Sequence, residues 1–450
     1  MATTFDFDDM RSMYDVVVIG AGPAGCATAT AFAARGAHVL LLESNPNAAR
    51  RFAGEWIHPE GARILNILGL LEGLDAGMPA RGFVVFPNDG LGAIALDYGN
   101  NATGFACEHA TLVAHLRDRI TTNPRIDFLL GGRANRLDGR TVHVTRGARA
   151  HDVRTPLTVV ATGRSAGKLF PKSANDEKVS ISLMAGLIVR DSQLPLEGYG
   201  HVIVGGPGPA LAYRIAADQI RICIDVPHDA RDGEAATDWI WRSFAEVLPS
   251  SLRDGVRRGL SEATLCWAAN AFRPRRYRTS PGIALVGDAA GVFHPLTAMG
   301  ITMSLLDGEA LAGTSSLAEY AERRAEETYI PELLSNAIYQ AFARSDAGTL
   351  AIRDSIFRTW RSSPVQRSRT MDLLGAATTR RVDFVRAFSH VALRAGAGAL
   401  LSDRKTVMDL AGWLRWPLAS VHPHASAMRT RSVEWAAPKS WAEMERRDVS

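Results

Sequence analysis

Cysteine is scarce. The 450 residues carry four, Cys26, Cys107, Cys223 and Cys266, and no two of them stand in C-x-x-C spacing. That excludes a disulfide-stapled scaffold and a paired-thiolate metal or redox centre, and no metal site is expected. Buried apolar thiols in a reducing compartment are expected at all four positions. An excess of one charge is also missing: 51 Lys and Arg against 47 Asp and Glu leave a formal +4. That is too weak an imbalance for whole-chain nucleic-acid binding. Long apolar runs are absent too. The longest weakly polar stretch, 391–401, is interrupted by Arg394, so no membrane-spanning helix is expected. The N-terminus, MATTFDFDDM, has three aspartates and no apolar core. It does not read as a secretory signal, and a cytoplasmic protein is expected. Neither an internal repeat nor a low-complexity segment is visible. What remains is an ordinary globular composition, 46% apolar and 22% charged, in a chain long enough for two to four structural units.

The strongest positive signal opens the chain. Tyr14-Asp-Val-Val-Val-Ile-Gly-Ala-Gly-Pro-Ala-Gly25 runs a β-branched strand straight into G-x-G-x-x-G spacing. A small-residue helix follows from Cys26 to Ala34, then a second strand over 38–42 ending at Glu43. Each residue type has a task. Gly20 permits a tight turn, Gly22 lets backbone N–H groups approach a pyrophosphate, and Gly25 lets the helix lie close to the strand. The helix N-terminus attracts the phosphates. Glu43, 23 positions after Gly20, is placed to accept hydrogen bonds from ribose hydroxyls.

Up to Glu43 the residues favour neither NAD nor FAD. Later elements decide. Leu157-Thr-Val-Val-Ala-Thr-Gly163 is another buried strand, and Gly282-Ile-Ala-Leu-Val-Gly-Asp-Ala-Ala290 is a third, expected to end at Gly287-Asp288 and enter a small-residue helix. A second pole of a long dinucleotide fits there, which points to non-covalent FAD. Between these lie alternating segments at 82–86, 181–189, 201–204, 211–216 and 220–226, the last two separated by a hairpin-like Asp218-Gln219. From about Tyr320 the pattern becomes helical. The expected class is α/β (α+β overall). A Rossmann-type FAD-binding domain (14–80, 104–172, 281–340) carries an inserted antiparallel β-sheet substrate domain (81–103, 173–280), a C-terminal helical region (341–430) and a tail (431–450).

The G-A-G-P-A-G turn, the Gly287-Asp288 strand end and His294-Pro-Leu-Thr-Ala-Met-Gly-Ile-Thr302 together resemble the flavoprotein monooxygenases of the para-hydroxybenzoate hydroxylase superfamily. Within it they are most similar to the squalene epoxidase branch. Arg51-Phe-Ala-Gly-Glu-Trp-Ile-His-Pro-Glu-Gly61 resembles that branch's R-x-x-G-E-x-x-x-P-x-G segment. Pro209-Ala-Leu-Ala-Tyr-Arg-Ile215, Arg221-Ile-Cys-Ile-Asp-Val-Pro227 and Ala337-Ile-Tyr-Gln-Ala-Phe342 are also similar. The likeness runs from about residue 14 to about 375. It implies a cofactor-binding set of Gly20, Ala21, Gly22, Pro23, Ala24, Gly25, Glu43, Ser44, Arg51, Arg117, Arg133, Gly287, Asp288, Pro295, Gly300 and Ile301. His294, Pro295 and Gly300 would face the flavin, and His58, Phe83, Tyr213 and Phe293 would line the substrate pocket.

Some positions depart from the family pattern. Its Asp-Gly strand end reads Thr162-Gly163, its following Ser falls near Ala166-Gly167, and its Gly-rich stretch becomes Ala298-Met299-Gly300. The branch's active-site Tyr falls on Phe83, which removes a hydroxyl and leaves squalene itself an open substrate. Trp239-Ile-Trp241 is superficially similar to a flavin-halogenase motif but has no following Ile-Pro, so a packing role on a helix over 237–247 is expected.

The resemblance implies an FAD-dependent monooxygenase. It would insert one oxygen atom from O2 into an apolar or aromatic substrate, by epoxidation or hydroxylation, through a flavin C4a-hydroperoxide. NAD(P)H or a reductase partner would supply the electrons. A helix N-terminus after Pro295 would stabilise negative charge at the flavin N1–C2 edge. The alternatives are an FAD-dependent dehydrogenase or reductase on the same scaffold, and a non-catalytic flavin-fold carrier of lipidated partners. The segment 341–430 holds 14 Lys and Arg against 6 Asp and Glu. It has apolar residues at helical spacing (Ile352, Ile356, Phe357 and Trp360, then Phe384, Phe388, Val391 and Leu393) and a cluster of Trp413, Leu414, Trp416 and Leu418. Packing on the parent domain, bordering the pocket mouth, is the expected role. Peripheral membrane contact is the alternative.

Overall fold

The computed structural model describes residues 5–47, 50–164, 179–228, 233–262 and 265–399. The expectations for Ala166-Gly167, the Trp413–Leu418 cluster and the tail lie outside the described residues.

The continuous apolar runs read as buried strands form the centre of a sheet. β1 (Val16–Ile19) pairs in parallel with β2 (Val39–Glu43) on one side and with β12 (Leu157–Val160) on the other. β8 (Ile126–Leu130), β18 (Arg278–Ser280) and β19 (Ile283–Leu285) complete six strands in the order β18-β19-β12-β1-β2-β8. All four residues of β1 are buried, as a strand covered on both faces must be. α1 (Pro23–Ala33), α3 (His109–Thr121) and α6 (Gly300–Ala312) pack against this core. α1 is built of small residues, so its neighbours come close: a Cβ on Gly308 of α6 would lie 2.6 Å from Thr28 Oγ1 of α1.

Two small sheets flank it. β9 (Arg133–Asp138), β10 (Thr141–Arg146) and β11 (Arg149–Arg154) form an antiparallel meander. β3 (Trp56–Ile57), β4 (Met78–Ala80) and β7 (Gly104–Ala106) form the other, with α2 (Pro59–Ile67) following β3.

The five alternating segments join two strands not read from the sequence in a separate seven-stranded sheet. β5 (Gly82–Phe86), β6 (Ile94–Asp97), β13 (Val179–Arg190), β14 (Tyr199–Ile203), β15 (Ala210–Ala216), β16 (Gln219–Val226) and β17 (Cys266–Phe272) assemble as β17-β13-β16-β15-β14-β5-β6. β15 and β16 form the hairpin expected around Asp218-Gln219. The antiparallel expectation needs one correction: β5 and β14 run in parallel, because β5 enters the sheet from an earlier excursion of the chain rather than through a hairpin. One face of the sheet packs on α4 (Ala236–Phe244) and α5 (Ser250–Glu262). Trp239 is buried there against Phe244, and Trp241 lies beneath Arg257, the packing role expected of both. The other face packs on α7 (Leu317–Ala343), α8 (Ala347–Ser362), α9 (Pro364–Leu374) and α10 (Arg381–Ala399).

Three expectations are corrected. Cys266 is exposed, unlike the other three thiols, because it begins the edge strand β17. Gly287-Asp288 does not enter a long helix; Gly287–Ala289 is a single 3-10 turn. The helix expected after Pro295 is likewise a 3-10 turn, Pro295–Thr297. It is closed by Ala298 in the left-handed region, and α6 starts only at Gly300.

Candidate functional site

β1 ends at Ile19, and the chain must turn at once to start α1. Gly20 sits at φ +106°, where an L side chain is strained, and a Cβ there would stand 2.5 Å from the Ala161 carbonyl oxygen. A Cβ on Gly25 would stand 1.7 Å from the Gly20 carbonyl oxygen, so this helix–turn contact admits only glycine. Gly22 is different. It caps α1 with no side-chain hydrogen bond, and a Cβ there would meet nothing within 4 Å among the described residues. Open space therefore lies over the uncapped N-terminus of an eleven-residue helix, where N–H groups need acceptors. Gly300, at the first turn of thirteen-residue α6, repeats the pattern: no side-chain cap and nothing within 4 Å of a Cβ. Two such helix ends, on helices packed together, fit a long ligand with anionic groups.

Glu43, at the end of β2, is buried and accepts from Ala21 N at 3.2 Å and Asn45 N at 2.9 Å. Arg117 of α3 donates to Glu43 Oε2 at 2.8 Å and to the Ala21 carbonyl at 2.9 Å. Glu43 and Arg117 thus brace the glycine turn as a pair. Ser44 is exposed just beyond β2, and Arg133 is exposed at the start of β9.

Far away in sequence, Gly287 lies against this turn. A Cβ on it would be 2.9 Å from Ala24 Cβ. The second motif is therefore a neighbour of the first rather than a distant pole. The Gly287 N–H donates to Asp307 Oδ2 of α6 at 2.8 Å. Asp307 is wholly buried between Arg275 and Arg324. Asp288 is half-exposed, with Arg164 Nε 3.4 Å from its carboxylate. Arg51 is exposed and reaches toward Gly163. His109 of α3, not foreseen from sequence, hydrogen-bonds the Gly54 carbonyl at 2.9 Å and feels the charges of Arg51, Arg117 and Asp288. Burial, more than those charges, depresses its pKa to about 4, so it is neutral. Ile301 lies under Gly54, whose Cβ would be 3.3 Å away.

Of the expected pocket residues, His58, Phe83 and Tyr213 come together around Trp56. Trp56 and Phe83 ring centroids are 5.0 Å apart, Trp56 and Tyr213 5.8 Å, His58 and Phe83 5.9 Å. Phe293 stands apart, packed with Met299 and Met303 under the Arg275 guanidinium. The apolar cluster of Trp56, Phe83 and Tyr213 takes in Ile352, Phe357, Trp360 and Phe384 of the C-terminal helices. Leu393 is exposed.

Buried polar groups behind this wall are mostly satisfied. His58 Nε2 donates to the Thr297 carbonyl at 3.0 Å, Tyr98 donates to His58 Nδ1 at 2.6 Å, and Trp56 Nε1 donates to the Tyr98 oxygen at 3.1 Å. This direction follows because the carbonyl can only accept, which fixes the tautomer of a neutral ring. Burial lowers the His58 pKa to about 4. The chain ends on the His294–Thr297 turn, so His58 is tied to that turn. Glu55 receives two hydrogen bonds from Arg221, at 2.7 and 2.8 Å, and one from Tyr213 at 3.3 Å. Burial opposes the Arg221 charge, but the Glu55 carboxylate outweighs it and raises the guanidinium pKa. Glu55 stood in the quoted R-x-x-G-E segment, yet only the fold shows its partner.

The chain is similar to known proteins in sequence and in fold. A family model for squalene epoxidase matches residues 154–412, and one for FAD dependent oxidoreductases matches residues 15–81. The squalene epoxidase of Aspergillus fumigatus is 28% identical over 76% of this chain and 78% of its own length. The squalene monooxygenase of Mus musculus is 23% identical over 85% and 71%. Among solved structures, p-nitrophenol 4-monooxygenase from Pseudomonas putida superimposes with a TM-score of 0.64 at 18% identity, over 85% of this chain and 99% of that one. A flavoprotein/dehydrogenase from Cytophaga hutchinsonii gives 0.70 at 15% identity, over 85% and 98%. These two share the fold. With the squalene epoxidase model matching more than half of the chain, and the FAD-dependent oxidoreductase model covering the glycine turn, the chain belongs to the squalene epoxidase family of FAD-dependent monooxygenases.

Proposed function

We propose that the chain transfers one oxygen atom of O2 to a carbon of an apolar or aromatic substrate held against Trp56, Phe83 and Tyr213. The second oxygen atom leaves as water, with two electrons drawn from NAD(P)H or a reductase partner. The observation that carries this is the pair of open, uncapped helix ends at Gly22 and Gly300, with the apolar wall behind the second of them. FAD, when bound, supplies the two-electron chemistry that activates O2. The N–H groups beyond Gly22 hold its pyrophosphate, Glu43 its adenosine ribose, and Asp288 its ribityl–pyrophosphate region. Arg51 and Arg117 stand beside it. The α6 N-terminus at Gly300 and Ile301, with its dipole and free N–H groups, favours negative charge at the ring edge lined by Pro295. Burial keeps His294 neutral, the charge of Asp225 opposing it, so it serves as a hydrogen-bonding group of the flavin-facing turn.

The units that divide this work are the cofactor-binding part (14–80, 104–172, 281–340), the inserted sheet (81–103, 173–280) and the C-terminal helices. Four of the apolar residues singled out in those helices face the pocket cluster: Ile352, Phe357, Trp360 and Phe384. Their outer surface exposes Leu350, Val365, Val382, Val385 and Leu393. This surface supports a peripheral lipid contact for entry of an apolar substrate. No helix among the described residues is long and apolar enough to cross a membrane.

The test is a visible spectrum of the purified protein, then anaerobic reduction and admission of 18O2 with squalene and with an aromatic hydrocarbon. One labelled oxygen in the product is expected. Unlabelled product would promote a dehydrogenase on the same scaffold.

A further inference from the structure

β16 reads Gln219-Ile-Arg-Ile-Cys-Ile-Asp-Val226, a strict alternation. Ile220, Ile222, Ile224 and Val226 fill the core under α4 and α5. Arg221, Cys223 and Asp225 turn to the opposite face. A buried strand face usually carries apolar side chains. This one carries two charges, four residues and roughly 13 Å apart at about 3.3 Å per residue. The first, Arg221, is matched by Glu55. The second, Asp225, faces His294 of the flavin-facing turn, with Nε2 3.8 Å from Oδ1.

His294 is wholly buried, and its ring is stacked on Tyr339 of α7 at a centroid distance of 3.7 Å. The Leu296 N–H donates to His294 Nδ1 at 3.2 Å. Nδ1 is therefore an acceptor, and in the neutral ring the proton sits on Nε2. Among the described residues that Nε2–H has no hydrogen-bond partner, and the Asp225 carboxylate lies just beyond hydrogen-bonding reach. Asp225 is itself held in place. Ser182 donates to Oδ1, Asn270 donates to Oδ1 at 2.7 Å, and Tyr339 donates to Oδ2 at 3.4 Å. We propose that Asp225 is a positioning residue for the oxygenation: from the inserted sheet it holds His294 as the Nε2–H tautomer and so fixes the His294–Thr297 turn.

The assignment rests on the reading that this turn faces the flavin. It gives β16 a function at both charged positions, each docking the sheet onto the cofactor-binding part. The charged and titratable groups that act on His294 are Asp225 of β16, Tyr339 of α7 and Arg164 after β12. Burial favours the neutral ring, and Asp225 opposes it. Removing the Asp225 charge must therefore make His294 harder to protonate.

The experiment uses holoenzyme labelled with [15N]histidine, with His294→Asn assigning the resonance. At neutral pH the wild type should show a protonated Nε2 and an unprotonated Nδ1. In Asp225→Asn, with an unchanged circular dichroism spectrum, the His294 midpoint should fall by about 1 pH unit, as expected when an adjacent opposite charge is removed. The acid limb of O2 reoxidation of photoreduced FAD should move with it. Asp225→Glu should restore part of both. Ser182→Ala, which frees a lone pair of Asp225 and keeps its charge, should move the midpoint the other way and stands in if Asp225→Asn fails to fold. An unmoved His294 midpoint in the folded variants overturns the assignment. His294→Phe separates the underlying reading: if the bound-FAD absorption is unchanged, the turn is not beside the flavin, and the role in oxygenation falls with it.

Discussion

His58 illustrates how much a single residue owes to its surroundings. In the sequence it is a histidine beside Trp and Pro. In the fold it is wholly buried, with both ring nitrogens engaged and a pKa depressed to about 4. In the unfolded chain it titrates near 6.5, so the native state binds the proton less well. Its contribution is present above pH 6.5 and is lost as pH falls toward 4, at about 1.4 kcal/mol per pH unit for one such site. The midpoint of urea unfolding should therefore drop between pH 6.5 and 4.5, with a shallower slope in His58→Gln. An equal slope would show that other groups carry the acid sensitivity; His109 and His201, also depressed to about 4 by burial, act in the same direction. At Asp288 the effect is on the ligand. Asp288→Ala should lower FAD affinity by about 1.5–3 kcal/mol, roughly ten- to a hundred-fold, as loss of a hydrogen bond to a charged group does. Flavin content after gel filtration reads this directly, and a folded variant that stays fully yellow would remove Asp288 from the cofactor site.

Among the elements, α1 and its turn are the part most visible beforehand. β-branched strand, three spaced glycines and small-residue helix each pointed to one local structure, and the close approaches at Gly20 and Gly25 show why glycine is required. Gly25→Ala should push the turn off the helix and empty the cofactor site, while Gly22→Ala meets no neighbour and should lose flavin only through contact with the ligand. Comparing apo-protein melting temperatures separates them: Gly25→Ala should melt lower than wild type, and Gly22→Ala close to it. β16 was legible as a strand from its alternation. The partners of its charged face were not, because Glu55 and His294 lie 166 and 69 positions away, before β3 and at the start of a 3-10 turn, and reach it only through tertiary packing.

At the scale of the molecule, the sheet and the C-terminal helices enclose one apolar cluster, with Trp56, Phe83 and Tyr213 on one side and Phe357 and Trp360 on the other. The helices are thus part of the same apolar cluster as Trp56, Phe83 and Tyr213. Their exposed Val382, Val385 and Leu393 stand among arginines. Each such basic side chain near an anionic lipid surface contributes about 1 kcal/mol and is screened by salt. Flotation with anionic vesicles should carry the protein upward at low salt and release it at about 0.5 M. Protein that stays at the bottom under both conditions would leave these helices with packing alone.

The sequence by itself determined β1, β2, β12 and β19 of the parallel sheet, five strands of the second sheet, the glycine turn, the hairpin at Asp218-Gln219 and the family, because these depend on local periodicity and on short motifs; β6, β8, β17 and β18 carried no such pattern and were placed only by pairing. Tertiary structure decided what is set by distance across the chain. It brought Gly287 against Ala24, placed Phe293 away from the other pocket residues, and ran β5 in parallel with β14. It also exposed Cys266 at a sheet edge and paired Arg221 with Glu55. Burial then set which histidines are neutral, since desolvation is a property of the packed environment and not of the residue type.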